Sequence, residues 1–286
     1  MTRHGSVTIT KVFMMIFILT FIVNSSQGED QPKSNSTYLS RSDCDYLISK
    51  KVITESNPVP CSRLSKITFS HLNERGDIAN DGVLIVLDIL APKVEEVMKK
   101  LLEQKFTIFK ARPIEEYNGD DMASMADNNT SAFNGRAITG GSRWSLHAYG
   151  AAIDINPVQN PFIDIDEDGT ARISPEKSAR YAVNRLNQRP GKASRVGMAE
   201  EVVDIFAEHG FFTWGGYWNY PVDYQHFQVG PRSFIEALVR TPPEEGEELL
   251  NKYISMYLNC RKNRESEDNV EKLRAHCVDY VVSQMP

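Results

Sequence analysis

The chain has 286 residues, of which 41% are hydrophobic and 24% charged, with a net charge of −6. Such a composition excludes a collagen, a coiled coil and a low-complexity disordered chain. The acidic balance argues against a nucleic-acid binder, which needs a basic face to neutralise phosphates. Four cysteines are too few for a disulfide scaffold in place of a core.

In chain order, Arg3 and Lys11 precede a short apolar run, Val12 to Val23, and small polar residues follow to Gly28. That layout predicts a cleaved signal peptide over 1–28, because the run is short of the ~20 apolar residues needed to span a bilayer. Its removal takes two bases and no acid, and leaves a secreted chain of charge −8. No later stretch could cross a membrane. Residues 29–60 are expected as an N-terminal extension, polar and mobile over 29–43. A catalytic domain over 61–240 and a C-terminal unit over 241–286 complete the expected organisation.

Beyond the extension, Ile67–Phe69 and Val83–Leu87 are β-rich, and Val94, Val97, Met98, Leu101 and Leu102 share one helix face. Phe106–Phe109, Phe133–Ile138, Ala151–Ile155 and His226–Val229 are further candidate strands. Met198, Val202, Ile205, Phe206 and His209 line a second helix, stopped by Gly210. Few strand pairs enclose a clean helix. The expectation is therefore α+β: a small, mostly antiparallel sheet flanked by helices. After Pro242–Pro243, Leu249/Leu250, Tyr253/Ile254 and Tyr257/Leu258 recur at helical spacing, and so do Val270, Leu273, Cys277 and Val281. They predict a helical hairpin appended to the catalytic unit.

Secretion makes disulfides plausible. Cys44 and Cys61 are 17 apart, as are Cys260 and Cys277. Of three connectivities, the two local bridges Cys44–Cys61 and Cys260–Cys277 are favoured, each closing a compact unit. Free thiols are the alternative.

Chemistry concentrates in two segments, SLHAYGAAIDINP (145–157) and WGGYWNYPVDYQHFQ (214–228). A turn at Gly150 followed by a strand can bring His147 and Asp154 towards one point. His226 would supply a second imidazole. Two imidazoles and a carboxylate suit a catalytic zinc with one position left for water. Asp223, three before His226, could then act as general base. Read from spacing alone, these residues could equally be structural hydrogen-bonding groups.

SLHAYGAAID resembles the S-x-H-x-x-G-x-A-x-D signature of VanY-type zinc D-alanyl-D-alanine carboxypeptidases and L-alanyl-D-glutamate endopeptidases, which cut peptidoglycan stem peptides. DYQHFQ is similar to the second motif of that family. The stretch 119–162 and WGGYWNYPVDYQHF resemble the endopeptidase branch, so the likeness runs from about 60 to 235. The resemblance implies a fold shared with Hedgehog signalling domains. It implies zinc on His147, Asp154 and His226, and Asp223 as catalytic base. It further implies Arg136 at the polarised carbonyl or substrate and Ser145 on the substrate. Gly135 departs from a branch in which Cys often precedes that Arg.

The expected activity is hydrolysis of L-Ala–D-Glu or D-Ala–D-Ala bonds in peptidoglycan peptides, by a secreted monomer with no nucleic-acid or membrane partner. A non-catalytic, zinc-stabilised binding domain of Hedgehog-like fold is the alternative. A serine hydrolase built on Ser145 lacks the G-x-S-x-G elbow. Tyr217 and Trp218 are expected to line the cleft and contact substrate, and Trp214 to pack in the core. Asp164, Asp166 and Asp168 before Gly169 resemble the start of a calcium loop, with an Asp-Gly hairpin turn as the alternative. Asn35, Asn128 and Asn129 head glycosylation sequons; a structural role near the site is expected of Asn128 and Asn129.

Overall fold

A computed structural model describes residues 1–2, 33–138, 141–264 and 269–286. The expected signal peptide lies outside the described residues apart from its first two. Among the described residues no helix is long and apolar enough to cross a membrane.

Among the described residues, three small antiparallel sheets and eight α-helices form the expected α+β architecture. In the first sheet β1 (Ser34–Tyr38), β2 (Leu64–Leu72) and β3 (Ile78–Leu87) lie side by side in that order. Of the stretch 29–43 expected to be mobile, 29–32 lie outside the described residues, and for 33–43 the expectation is corrected. Ser34–Tyr38 pairs residue for residue with Ser65–Phe69. Its side chains are mostly exposed, so its backbone, which needs partners wherever it finds an open sheet edge, sets its place rather than an apolar face. The helix α1 (Arg41–Ser49) follows, its N-terminus closed by a capping box between Ser40 and Asp43. The Cys44–Cys61 bridge then ties this extension back towards the start of β2.

The helix α2 (Ala91–Glu103) carries Pro92 in its first turn, where the missing N–H costs nothing. It buries Val94, Val97, Met98 and Leu101 against β2. Each of these contributes roughly 1.5–3 kcal/mol by leaving water. The sequence favoured strands at 106–109 and 133–138. Neither segment forms a strand; Thr107 makes one isolated bridge to Leu72, and Ala137 one to Trp144. A short helix, α3 (Asp121–Ala126), lies between them.

The second sheet has the order β4 (Ala152–Asp154), β9 (His226–Gln228), β7 (Thr213–Trp214). The third has β6 (Ala171–Ser174), β5 (Phe162–Ile165), β8 (Val222–Asp223). The D-x-D-x-D-G stretch forms the turn between β5 and β6, and Arg172 reaches back to the carboxylates of Asp164 and Asp166. That is the Asp-Gly hairpin, with an arginine where a calcium ion would need those oxygens. A short helix, α4 (Ala179–Ala182), leads into a long loop, and α5 (Val203–Glu208) begins later than its apolar pattern suggested because 199–201 winds as a 3-10 turn.

The remaining helices are α6 (Arg232–Arg240), α7 (Pro243–Lys262) and α8 (Val270–Val282). The last two form the expected helical pair, bridged by Cys260–Cys277. Leu250, Tyr253, Ile254, Tyr257, Leu273 and Val281 are buried in the same apolar core as α2, α5 and β9. The hairpin thus shares its core with the segments that carry the site.

Candidate metal centre

The site begins with a turn. Ser145 caps the 3-10 turn Leu146–Tyr149, its hydroxyl accepting from the backbone N–H of His147 at 3.3 Å. Gly150 ends the turn at φ +64°, and a Cβ there would stand 2.5 Å from the backbone nitrogen of Leu87. Only glycine meets both demands. The chain then enters β4, which pairs with β9 so that Asp154 lies directly opposite His226. Directly opposed residues of an antiparallel pair have neighbouring side chains.

The side-chain atoms converge. Asp154 Oδ1 is 3.2 Å from His147 Nε2 and 3.0 Å from His226 Nδ1, and the two ring nitrogens are 3.2 Å apart. All three residues are buried. The outer ring nitrogens define the tautomers. His147 Nδ1 is 2.6 Å from the carbonyl of Ala132, which can only accept. His226 Nε2 is 3.0 Å from Gln228 Oε1, and Gln228 Nε2 donates to the Gly230 carbonyl at 2.8 Å. Both rings therefore place their protons outward, and two lone pairs and a carboxylate face one point. Three acceptors without a donor between them is an arrangement a divalent cation resolves. Among the described residues, this trio is the one group of three or more His, Cys, Asp or Glu gathered closely enough to hold a metal ion.

Burial opposes ionisation of Asp154, but His147 and His226 hold its carboxyl far below the usual carboxylate range. For His226, burial acts against the charged form; the Asp154 hydrogen bond and charge outweigh it and raise the ring's proton affinity. Asp223, on β8, is also buried, and its Oδ1 has no hydrogen-bond partner. Burial, followed by the charge of Asp154, pushes its carboxyl up to about 7. One carboxylate is thus kept ionised and the other is poised near neutrality, the division of labour that acid–base chemistry requires.

Arg136 is joined to Ser145 through the backbone, whose N–H donates to the Arg136 carbonyl. Its guanidinium pairs with Asp121 at 2.6 Å, while its Nε is buried without a partner. Trp218 packs on the His226 ring, centroids 5.3 Å apart. Tyr217 is exposed over half its surface and leans edge-on against Trp214, which is buried. Gly135 stands where a Cβ would come within 2.2 Å of the Val52 carbonyl oxygen and 2.5 Å of the Asn57 amide. The N-terminal extension therefore occupies the space that a cysteine side chain would take. Asn129 is fully buried and its amide is spent on the Arg112 backbone and Ser124, and Asn128 accepts from the Val158 backbone.

Sequence reading missed four residues here. Asp121 holds Arg136 and adds to the negative field at Asp223. Asn134 Nδ2 lies 3.4 Å from the other oxygen of Asp121. Gln225 donates to the sulfur of Met125, leaving its buried Oε1 without a partner. Gln228 orients His226. Only Gln228 had a signal, since residues two apart on a strand share a face.

Residues 139–229, less than a third of the chain, match the family model described as D-alanyl-D-alanine carboxypeptidase. The matched segment holds His147, Asp154, Asp223 and His226, and begins just after Arg136. The chain is thus similar, over its metal-centre segment, to a family of peptidases. No curated protein and no solved structure matches it.

Proposed function

We propose that the chain is a secreted zinc metallopeptidase that hydrolyses amide bonds of peptidoglycan stem peptides, L-Ala–D-Glu or D-Ala–D-Ala. The observation that carries this reading is the convergence of His147 Nε2, Asp154 and His226 Nδ1, in electrostatic contact with the buried carboxyl of Asp223, whose Oδ1 has no hydrogen-bond partner. The family match over the same segment supports the peptidase class, and the two disulfides suit an oxidising compartment.

His147, Asp154 and His226 would hold the ion. Bound there, zinc supplies a Lewis acid that makes water nucleophilic near neutral pH. Asp223 takes a proton from the attacking water and passes it to the departing amine. Its proton affinity near neutrality suits both halves of that exchange. Arg136, fixed through Asp121, offers a buried N–H to the developing oxyanion. Ser145 shapes the turn that aims His147, and Trp218 covers one side of His226.

The test is turnover. Purified protein is incubated with defined muropeptides and products are weighed by mass spectrometry. Release of peptide that a chelator stops, and that zinc restores, is the expected result. Stoichiometric zinc without cleavage of any wall peptide would instead favour the non-catalytic binding domain.

A further inference from the structure

Between Glu176 and Glu200 the sequence holds six bases and no acid, in a chain that is otherwise acidic. Arg185 is the structural member of this block. It pairs with both oxygens of Glu200, donates to the Gln159 carbonyl and lies over the Tyr224 ring at 4.2 Å. It thereby fastens the basic loop to the residue that follows Asp223.

Three others are treated differently. Arg180, Arg189 and Arg195 line one depression of about 330 Å³ with Phe109, Tyr181 and Val196. Among the described residues, none of the three pairs with a carboxylate. Arg180 and Arg195 both lie over the Tyr181 ring, at 5.0 and 5.3 Å. Arg195 spends its donors on the carbonyls of Asn184 and Arg180. Arg189 makes one long bond to the Ala193 carbonyl, and its Nε is buried with no partner. Three like charges held together without a counter-charge repel one another, and an anion relieves that cost. The acidic remainder of the surface does not cancel the effect, because it is screened beyond about 8 Å at physiological salt.

We infer that this depression is a binding site for the carboxylates of an acidic peptide. Guanidinium groups engage carboxylates through paired, parallel hydrogen bonds. Phe109, Tyr181 and Val196 supply apolar surface for the aliphatic stem that carries such a carboxylate, a lining less suited to a bare phosphodiester chain. The site lies apart from the metal ligands in sequence and is linked to them by Arg185 on Tyr224. Given the proposed activity, it captures the acidic stem peptide and offsets the repulsion expected from a chain of net negative charge.

Binding is measured by isothermal titration on the full secreted chain carrying Asp223→Asn, so that the peptide survives. The probes are the tripeptide L-alanyl-γ-D-glutamyl-diaminopimelate, the same peptide with its carboxylates amidated, and a polyglycerol phosphate oligomer. Adding Arg180→Gln and Arg189→Gln should weaken tripeptide binding at least tenfold. Amidation should cost as much in the parent and nothing further in the variant. Arg195 is left in place because it braces the loop. Equal affinity of parent and variant for the tripeptide would overturn the site. So would tighter, arginine-dependent binding of the polyglycerol phosphate. Arginine-dependent capture of a peptide that the unsubstituted protein never cleaves would uphold the site and defeat the proposed activity. Cleavage with unchanged affinity in the variant would do the reverse.

Discussion

The guanidinium of Arg274 donates a hydrogen bond to the hydroxyl of Tyr217, joining α8 to the loop that leads through Trp218 to Asp223. Arg274 is buried and also pairs with Asp204 at 2.8 Å; Arg261 of α7 takes the other oxygen of that carboxylate at 2.7 Å. Tyr217 in turn packs on Trp214, and Gly215 lies against the Asp223 backbone. Both helices of the C-terminal pair therefore converge on Asp204, and one of them grips the aromatic loop. Arg274→Gln should lower stability by about 2 kcal/mol, the cost of hydrogen bonds to a charged group, discounted because Asp204 is partly solvated. In thermal denaturation Arg274→Lys should recover part of the loss. Equal melting temperatures for all three proteins would remove the structural role of this contact.

Metal binding should depend on all three converging side chains. His147→Ala, Asp154→Ala and His226→Ala should each abolish stoichiometric zinc, read by competition with a chromogenic chelator. Gln228→Leu should weaken it by roughly 10–100-fold, the usual effect of losing the partner of a ligating imidazole. A Gln228→Leu protein with unchanged affinity would mean that the outward proton on His226 is held by something else.

Zinc affinity should fall as pH drops below about 7. The raised proton affinity of His226 means that a proton competes for Nδ1, and Asp223, whose carboxyl is pushed up to about 7, becomes neutral over the same interval. Binding isotherms at pH 8, 7 and 6 should weaken in that order. A flat profile would contradict the assigned protonation states.

Asp223→Asn should stop turnover and keep zinc. It should also change stability in an unusual direction. A carboxyl raised from 3.8 to about 7 binds its proton more tightly in the folded state. The stability it lends is full below the unfolded value and is lost as pH rises through 7. In the metal-free protein at pH 8, Asp223→Asn should therefore be more stable than the parent by chemical denaturation, and the difference should vanish towards pH 4. Equal stability at both pH values would show that Asp223 is solvated.

Gly135→Cys, which restores the residue common in the resembled branch, should destabilise this chain. Its Cβ would meet a backbone carbonyl and the Asn57 side chain, and overpacking of this kind costs about 1–3 kcal/mol. A melting temperature equal to the parent's would mean that the 52–57 segment moves aside freely.

Residue types and short-range spacing are enough to locate the candidate metal-binding residues and much of the local structure. Two imidazoles and two carboxylates stood in short motifs, the helical periods of α2, α7 and α8 were explicit, and the 17-residue spacings pointed to the two disulfides. These signals are local, because side-chain period and turn chemistry act over a few residues. Tertiary structure alone decided the register that sets Asp154 against His226, 72 residues away, on strands of three residues each. Such strands have no periodicity to read. It also decided that an exposed polar segment would become β1, that Asp121 would hold Arg136, and that Arg274 would reach Tyr217. Each of these is a polar pairing between distant segments. A charged or hydrogen-bonding side chain advertises what it can bond, but only packing brings a particular partner within 3 Å and shuts out the water that would otherwise compete.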